Sequence, residues 1–148
     1  MNNLYRCFVI FCLCFSCSCS CSSSLKTSSN KRDIYKVNVY HIDQFKTFLI
    51  SLNCEDVKKQ FEDEFVFKDK VEIKDFEKLI LYIENLTIDS IIETDPRVTI
   101  DFYDKESQLL HQFCWSMAGF SLDGKHYKNS RYVNSFLRKK KIIIEIVD

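Results

Sequence analysis

The sequence predicts an α+β fold: a single domain with a mainly antiparallel β-sheet and two to three helices packed on one face. Three observations favour this class. The chain has 148 residues, the size of one domain, and 46% of them are hydrophobic, which is enough for a packed core. Short stretches in which apolar and polar residues alternate, as in half-buried strands, recur from residue 34 onward. Stretches with helical spacing lie between them.

The first half of the domain contains patterns of both kinds. Residues 34–42 (IYKVNVYHI) alternate and predict a strand. Residues 45–52 (FKTFLISL) fit either a strand or a short helix, and residues 55–64 predict a short helix. Residues 64–74 alternate in part, which predicts a further strand or a hairpin.

The second half gives the clearest patterns. Residues 75–86 (DFEKLILYIENL) place their apolar side chains on one helix face, with Asp75 as the expected N-cap. A last helix is predicted to open at Asn129 or Ser130 and to run to about residue 138. The pair Asp123-Gly124 predicts a hairpin turn because glycine tolerates positive φ. Strands are predicted at residues 98–103, 109–117, 119–122, 126–127 and 142–147.

The N-terminal residues differ in composition from this domain. Residues 7–15 (CFVIFCLCF) form an unbroken apolar run that follows Arg6 and precedes small residues. A membrane-spanning helix needs about 18 or more apolar residues, so this run is too short to cross a bilayer. Its length is typical of the core of a secretory signal peptide.

A serine directly before a cysteine follows this core, in the stretch Cys14-Phe15-Ser16-Cys17. This stretch resembles the lipobox of bacterial lipoproteins, although Cys14 stands where leucine is usual and Phe15 is bulkier than usual. The resemblance implies cleavage before Cys17, whose thiol would then carry a diacylglycerol. Cys19 and Cys21 are alternative lipidation sites because each also follows a serine.

The resemblance implies a bacterial lipoprotein held in the cell envelope by a membrane anchor, facing the periplasm or the cell surface. It divides the chain into a signal peptide (1–16), a lipid-anchored flexible tether (17–33) and a single α+β domain (34–148). Three alternatives remain for the cysteine-rich stretch: an ordinary cleaved signal, a CxCxC site for a soft metal, or palmitoylation.

The domain shows no recognisable catalytic or metal-binding motif. His41, His111 and His126 lie outside the HExxH and HxH spacings, so a zinc site would need ligands from separate elements. Asp101 and Asp104 would suit glycoside hydrolysis only if they flanked a cleft. Within the domain, residues 34–148, the sequence contains no GxSxG, SxxK or P-loop motif. We therefore predict no catalytic residue, metal or other cofactor.

Two cysteines, Cys54 and Cys114, lie within the domain and are candidates for a disulfide in an oxidising compartment. A nucleophile–base pair between Cys114 and His111 is the alternative. Residues three apart on a strand point to opposite faces, which argues against that pair.

The charge distribution favours a protein partner over a nucleic acid. The chain has 21 basic and 21 acidic residues, whereas nucleic-acid-binding domains carry a clear basic excess. Acidic residues gather at 55–64 and 84–106, whereas 125–141 is basic and contains no acid. Opposed patches of this kind steer protein association.

In size and build the chain resembles envelope lipoproteins of unassigned role, some of which act as immunity factors against incoming toxins. We expect a non-catalytic protein-binding domain, an immunity or inhibitor protein among the options, that docks through its acidic stretches. The alternatives are a small hydrolase-like envelope enzyme and an accessory subunit of a membrane complex.

Overall fold

The computed structural model describes residues 33–43, 45–89 and 95–143, which belong to the compact unit Lys31–Asp148. Its strands are β1 (Lys36–His41), β2 (Asp63–Phe67), β3 (Val98–Tyr103), β4 (Leu109–Trp115), β5 (Gly119–Leu122) and β6 (Lys125–Lys128). Its helices are α1 (Cys54–Gln60), α2 (Lys70–Glu84) and α3 (Arg131–Lys139). The strands form one antiparallel sheet in the order β2-β1-β3-β4-β5-β6, which confirms the α+β class.

The predicted signal peptide, the tether and Cys17 lie outside the described residues, as do residues 144–147 of the last predicted strand. Ile142 and Ile143 are described, and they are buried in the core without forming a strand. Among the described residues, no helix combines the length and the apolar character needed to cross a bilayer.

One face of the sheet carries the main hydrophobic core. Val37 and Val39 of β1 share this face with Phe102 and Ile100, their partners on β3, because side chains alternate along a strand. Both α2 and α3 pack here with apolar residues three or four positions apart. Their buried residues are Ile73, Phe76, Leu79, Ile80, Ile83, Val133 and Leu137.

The remaining helix, α1, lies on the opposite face of the sheet, above the polar side chains of β3 and β4. Its Val57 joins Ile42 and Leu52 in a second, smaller buried cluster. All buried residues of both clusters lie between Val37 and Ile143. The unit Lys31–Asp148 therefore has a hydrophobic core of its own, which is what independent folding requires.

Helix α2 begins earlier than the sequence predicted. Asp69 is its N-cap, and the Asp69 carboxylate accepts hydrogen bonds from the backbone N–H groups of Val71 (2.8 Å) and Glu72 (3.3 Å). The expected N-cap, Asp75, instead lies inside the helix and pairs with Lys140 at 3.1 Å. The prediction of a strand or hairpin over 64–74 is therefore wrong after residue 67, because a capping side chain outweighs a partial alternation.

Candidate protein-binding surface

The loop between β1 and α1 exposes three large apolar side chains. Phe45, Leu49 and Ile50 are 61%, 106% and 73% exposed, whereas Phe48 and Leu52 pack against the smaller buried cluster. The sequence predicted a strand or a short helix over residues 45–52, but the structure contains neither. Only Phe48 and Leu52, which both point inward, keep the four-residue spacing of a helix. Leu49 and Ile50, which lie between them, form an exposed apolar surface.

Hydrogen bonds fix the first part of this loop. The backbone N–H of Phe45 donates to the Asp43 carboxylate at 2.9 Å, and the backbone N–H of Asp43 donates to Glu62 at 3.2 Å. The Lys46 ammonium lies 2.5 Å from Glu62 Oε1. These contacts join the first part of the loop to the residues that precede β2.

The second part of the loop is held by Arg97, which is largely buried beneath it. Its guanidinium donates to Asp95 Oδ2 at 2.7 Å and to the Lys46 carbonyl at 3.2 Å. The guanidinium carbon also lies 5.1 Å from the centre of the Phe48 ring, a cation–π contact. We refer to this arrangement as the Arg97 clamp.

The Arg97 clamp keeps Asp95 ionised. The hydrogen bond from Arg97 lowers the pKa of the Asp95 carboxyl, and the hydrogen bond from the backbone N–H of Leu52 (2.8 Å) acts in the same direction. Together they outweigh partial burial, which alone would raise this pKa. A charged Asp95 therefore ties the end of the loop to the residues before β3 at neutral pH.

A polar network fastens α1 to the sheet. Asp101, only 1% exposed, receives hydrogen bonds from Lys58, Tyr103 and Gln112, each at 3.1 Å. Glu55 accepts from Gln112 at 3.0 Å and lies 2.5 Å from the Lys58 ammonium. Both oxygens of the buried Asp101 carboxylate are thus satisfied, as a buried charge requires.

The protonation states in this network follow from the same contacts. Hydrogen bonds from Lys58 and Gln112 lower the pKa of Glu55. Burial alone would lower the pKa of Lys58, but hydrogen bonds with Glu55 and Asp101 outweigh it and leave that pKa raised. Burial, reinforced by the negative charge of Asp101, raises the pKa of Tyr103. The network therefore holds its charges fixed at neutral pH.

A disulfide joins Cys54, the first residue of α1, to Cys114 of β4, with the sulfur atoms 2.02 Å apart. These are the two cysteines that the sequence marked as a candidate pair. Beside the bridge, the Thr99 hydroxyl donates to the Cys54 carbonyl at 3.0 Å. His111 lies on the other face, since its cross-strand partner is the core residue Phe102. The alternative of a nucleophile–base pair between Cys114 and His111 is therefore wrong.

The three histidines occupy separate positions in the sheet. His41 is buried, with Nδ1 3.6 Å from Asp63 Oδ2, and His126 lies in β6. His111 Nδ1 lies 2.7 Å from Asp123 Oδ2, a geometry that orients the imidazole. Among the described residues, no group of three His, Cys, Asp or Glu side chains has the arrangement of a metal site.

The carboxylates considered for hydrolysis take part in different contacts. Asp101 belongs to the network beneath α1, whereas Asp104 is buried in the β3–β4 turn and accepts from the backbone N–H of Gln108 at 2.8 Å. Two surface concavities run along α3, and neither is lined by Asp101, Asp104, His111 or His126. These two concavities therefore do not bring the four residues together.

Many acids of the stretches 55–64 and 84–106 are paired with cations or buried. The negative electrostatic potential of these stretches is therefore weaker than the sequence composition suggests. The exposed apolar loop is a more distinctive feature of the surface than the acidic stretches. Four such ion pairs involve cations on α1, in the loop or beneath it. They are Glu55–Lys58, Asp56–Lys59, Glu62–Lys46 and Asp95–Arg97.

Comparison of the chain with protein-family models, curated proteins and solved structures finds no match.

Proposed function

We propose that this chain is a membrane-anchored envelope lipoprotein whose domain binds another protein without catalysing a reaction. The observation that carries the proposal is the exposure of Phe45, Leu49 and Ile50 on a loop that is otherwise firmly held. Neighbouring exposed apolar side chains, as at Leu49 and Ile50, are typical of protein-binding surfaces.

The energetics of the loop support this interpretation. Burying an exposed side chain such as Leu49 or Ile50 against a partner contributes about 1.5–3 kcal/mol. That is the size of effect found at the central residues of interfaces. Because the Arg97 clamp already orders the loop, association loses little conformational entropy there. An inhibitor or immunity protein is one form of such a binder, since a protruding loop can occlude a partner's active site.

Two features support an exported, anchored protein. The stretch before Cys17 resembles a lipobox and follows an apolar run of signal-peptide length. The Cys54–Cys114 disulfide belongs to a class of bond that persists in oxidising compartments such as the bacterial periplasm. An acylated cysteine would then hold the domain at a membrane surface.

Metabolic labelling with a fatty-acid probe tests the anchor. Wild type should incorporate the probe, Cys17→Ala should not, and the matched variant Cys21→Ala should label like wild type. Equal labelling of wild type and Cys17→Ala would count against Cys17. Recovery of the chain from the cytosol with its initial methionine would overturn the anchor altogether.

Site-specific photo-crosslinking in cells tests the binding surface. A photoreactive residue at Leu49 should give one discrete protein adduct, whereas the same residue at Lys78, exposed on α2, should not. With the purified partner, Ile50→Asp should weaken binding by roughly 30-fold or more, the loss expected at a central interface residue. Val71→Asp is the matched control, since Val71 is comparably exposed but lies on α2.

The adducts also distinguish the alternatives. Lipid adducts at Leu49 would show that the loop contacts a bilayer, and the protein-binding proposal would then fail. Equal weakening by Ile50→Asp and Val71→Asp would show that the loop is not the binding surface.

A further inference from the structure

Three exposed cations lie at the end of α3: Arg138, Lys139 and Lys141. We refer to them as the basic cluster. Among the described residues, no carboxylate forms an ion pair with any of the three. Lys140, between them, differs because it pairs with Asp75. The basic cluster is therefore a group of exposed cations without an ion-pair partner in the described part of the domain.

The basic cluster lies at the end of the sheet where β1 starts. Ring contacts join Phe136 of α3 to Phe76 (5.2 Å between ring centres) and Phe76 to Phe67 (5.1 Å) and Phe102 (6.0 Å). Both Phe67 and Phe102 are cross-strand partners of Val37, the second residue of β1. The end of α3 and the point where the chain arrives from residue 33 are thus on the same side of the domain.

Further exposed cations occupy this end. Lys68 and Lys70 flank the start of α2, directly after β2 ends beside Val37. Lys105 lies in the turn that follows β3. Exposed acids, among them Asp33 and Glu106, are also present there.

We propose that this end of the domain rests on anionic phospholipid headgroups through the basic cluster. The inference rests on the proposed anchor, which supplies the membrane. Cys17 and Asp33 are 16 positions apart, and a fully extended chain of that length spans at most about 55 Å. An acylated Cys17 therefore keeps Asp33, and with it this end of the domain, within about 55 Å of a bilayer. Each Lys or Arg near an anionic surface raises partitioning about five-fold.

The same placement orients the binding loop. β1 starts at the end that carries the basic cluster, and the β1–α1 loop follows its other end. The six residues of β1 separate the two ends by roughly 17 Å at the usual rise of a strand. With the basic cluster on the headgroups, Leu49 and Ile50 face away from the membrane, where a partner has access.

Vesicle sedimentation of residues 31–148 tests the inference without an acyl chain. The oxidised domain should bind phosphatidylcholine vesicles that contain phosphatidylglycerol and should not bind pure phosphatidylcholine vesicles. The double variant Arg138→Gln/Lys139→Gln should bind the anionic vesicles roughly 30-fold more weakly, because two cations are lost. The matched control Lys59→Gln/Lys128→Gln removes two exposed cations elsewhere and should bind like wild type.

Equal binding to both vesicle types, no binding, or equal loss in the two double variants would overturn the inference. Loss of binding to a purified protein partner in Arg138→Gln/Lys139→Gln, with vesicle binding unchanged, would assign the basic cluster to that partner instead. Fatty-acid labelling separates the two proposals. If the chain is acylated but its domain does not bind anionic vesicles, only this inference is refuted. If the domain binds anionic vesicles but the chain is never acylated, only the anchor is refuted.

Discussion

Reduction of the Cys54–Cys114 disulfide should remove a large part of the domain's stability. The bridge joins residues 60 positions apart, so it closes a long loop in the unfolded chain. For a loop of that length the chain-entropy relation gives about 4 kcal/mol at 25 °C. The Lys58–Asp101 ion pair and the buried Val57 still hold α1 to the sheet after reduction. We therefore expect the loss to act mainly through the unfolded state.

Urea unfolding of residues 31–148 with and without reductant measures this effect. With a slope of about 1.5 kcal/mol/M, a loss of about 4 kcal/mol lowers the midpoint by roughly 2.7 M. The double variant Cys54→Ala/Cys114→Ala should unfold near the reduced wild type and should not respond to reductant. Coincident midpoints for oxidised and reduced wild type would refute the reasoning, because a bridge of this span must restrict the unfolded chain.

Three further predictions concern polar contacts. Lys58→Met leaves the Asp101 carboxylate buried without a cation and should cost about 3 kcal/mol, part of which Lys58→Met/Asp101→Leu should recover in a urea double-mutant cycle. The fold lowers the pKa of Asp95, so the stability from this carboxylate is complete above its unfolded pKa near 4 and declines as the pH falls further. In Asp95→Asn the urea midpoint should therefore fall less steeply as the pH drops below about 4. An unchanged slope would contradict a stabilising contact between Arg97 and Asp95. Asn134→Ala removes the acceptor that lies 2.8 Å from Trp115 Nε1 and should cost about 1–2 kcal/mol, seen as a lower Tm in tryptophan fluorescence.

Elements with complete local signals were predictable from the sequence. Strand β3 has the predicted bounds, Val98–Tyr103, because its β-branched and aromatic residues end at a polar turn. The hairpin between β5 and β6 turns at Asp123 and Gly124, whose φ angles of 50° and 75° are both left-handed. A turn of that shape favours this residue pair, so the dipeptide alone identified it.

The candidate site depended on contacts between distant residues. The burial of Asp101 could not be predicted from its neighbours, because its partner Lys58 lies 43 positions earlier in the chain. Likewise, the apolar stretch 45–52 matched a helical period, but contacts with Glu62 and Asp95 fix its ends in a loop. Local patterns report which residues tend to be buried, and they do not report which distant side chain will satisfy a charge.

The separation of the two clusters on opposite faces bears on how this domain tolerates sequence change. The larger cluster packs the sheet against α2 and α3 and includes no residue of the stretch 43–61. Substitutions at exposed positions such as Leu49 and Ile50 can therefore reshape the recognition surface while the main core keeps its packing. Such a domain can acquire a new partner through a few replacements in one loop, with the rest of its architecture unchanged.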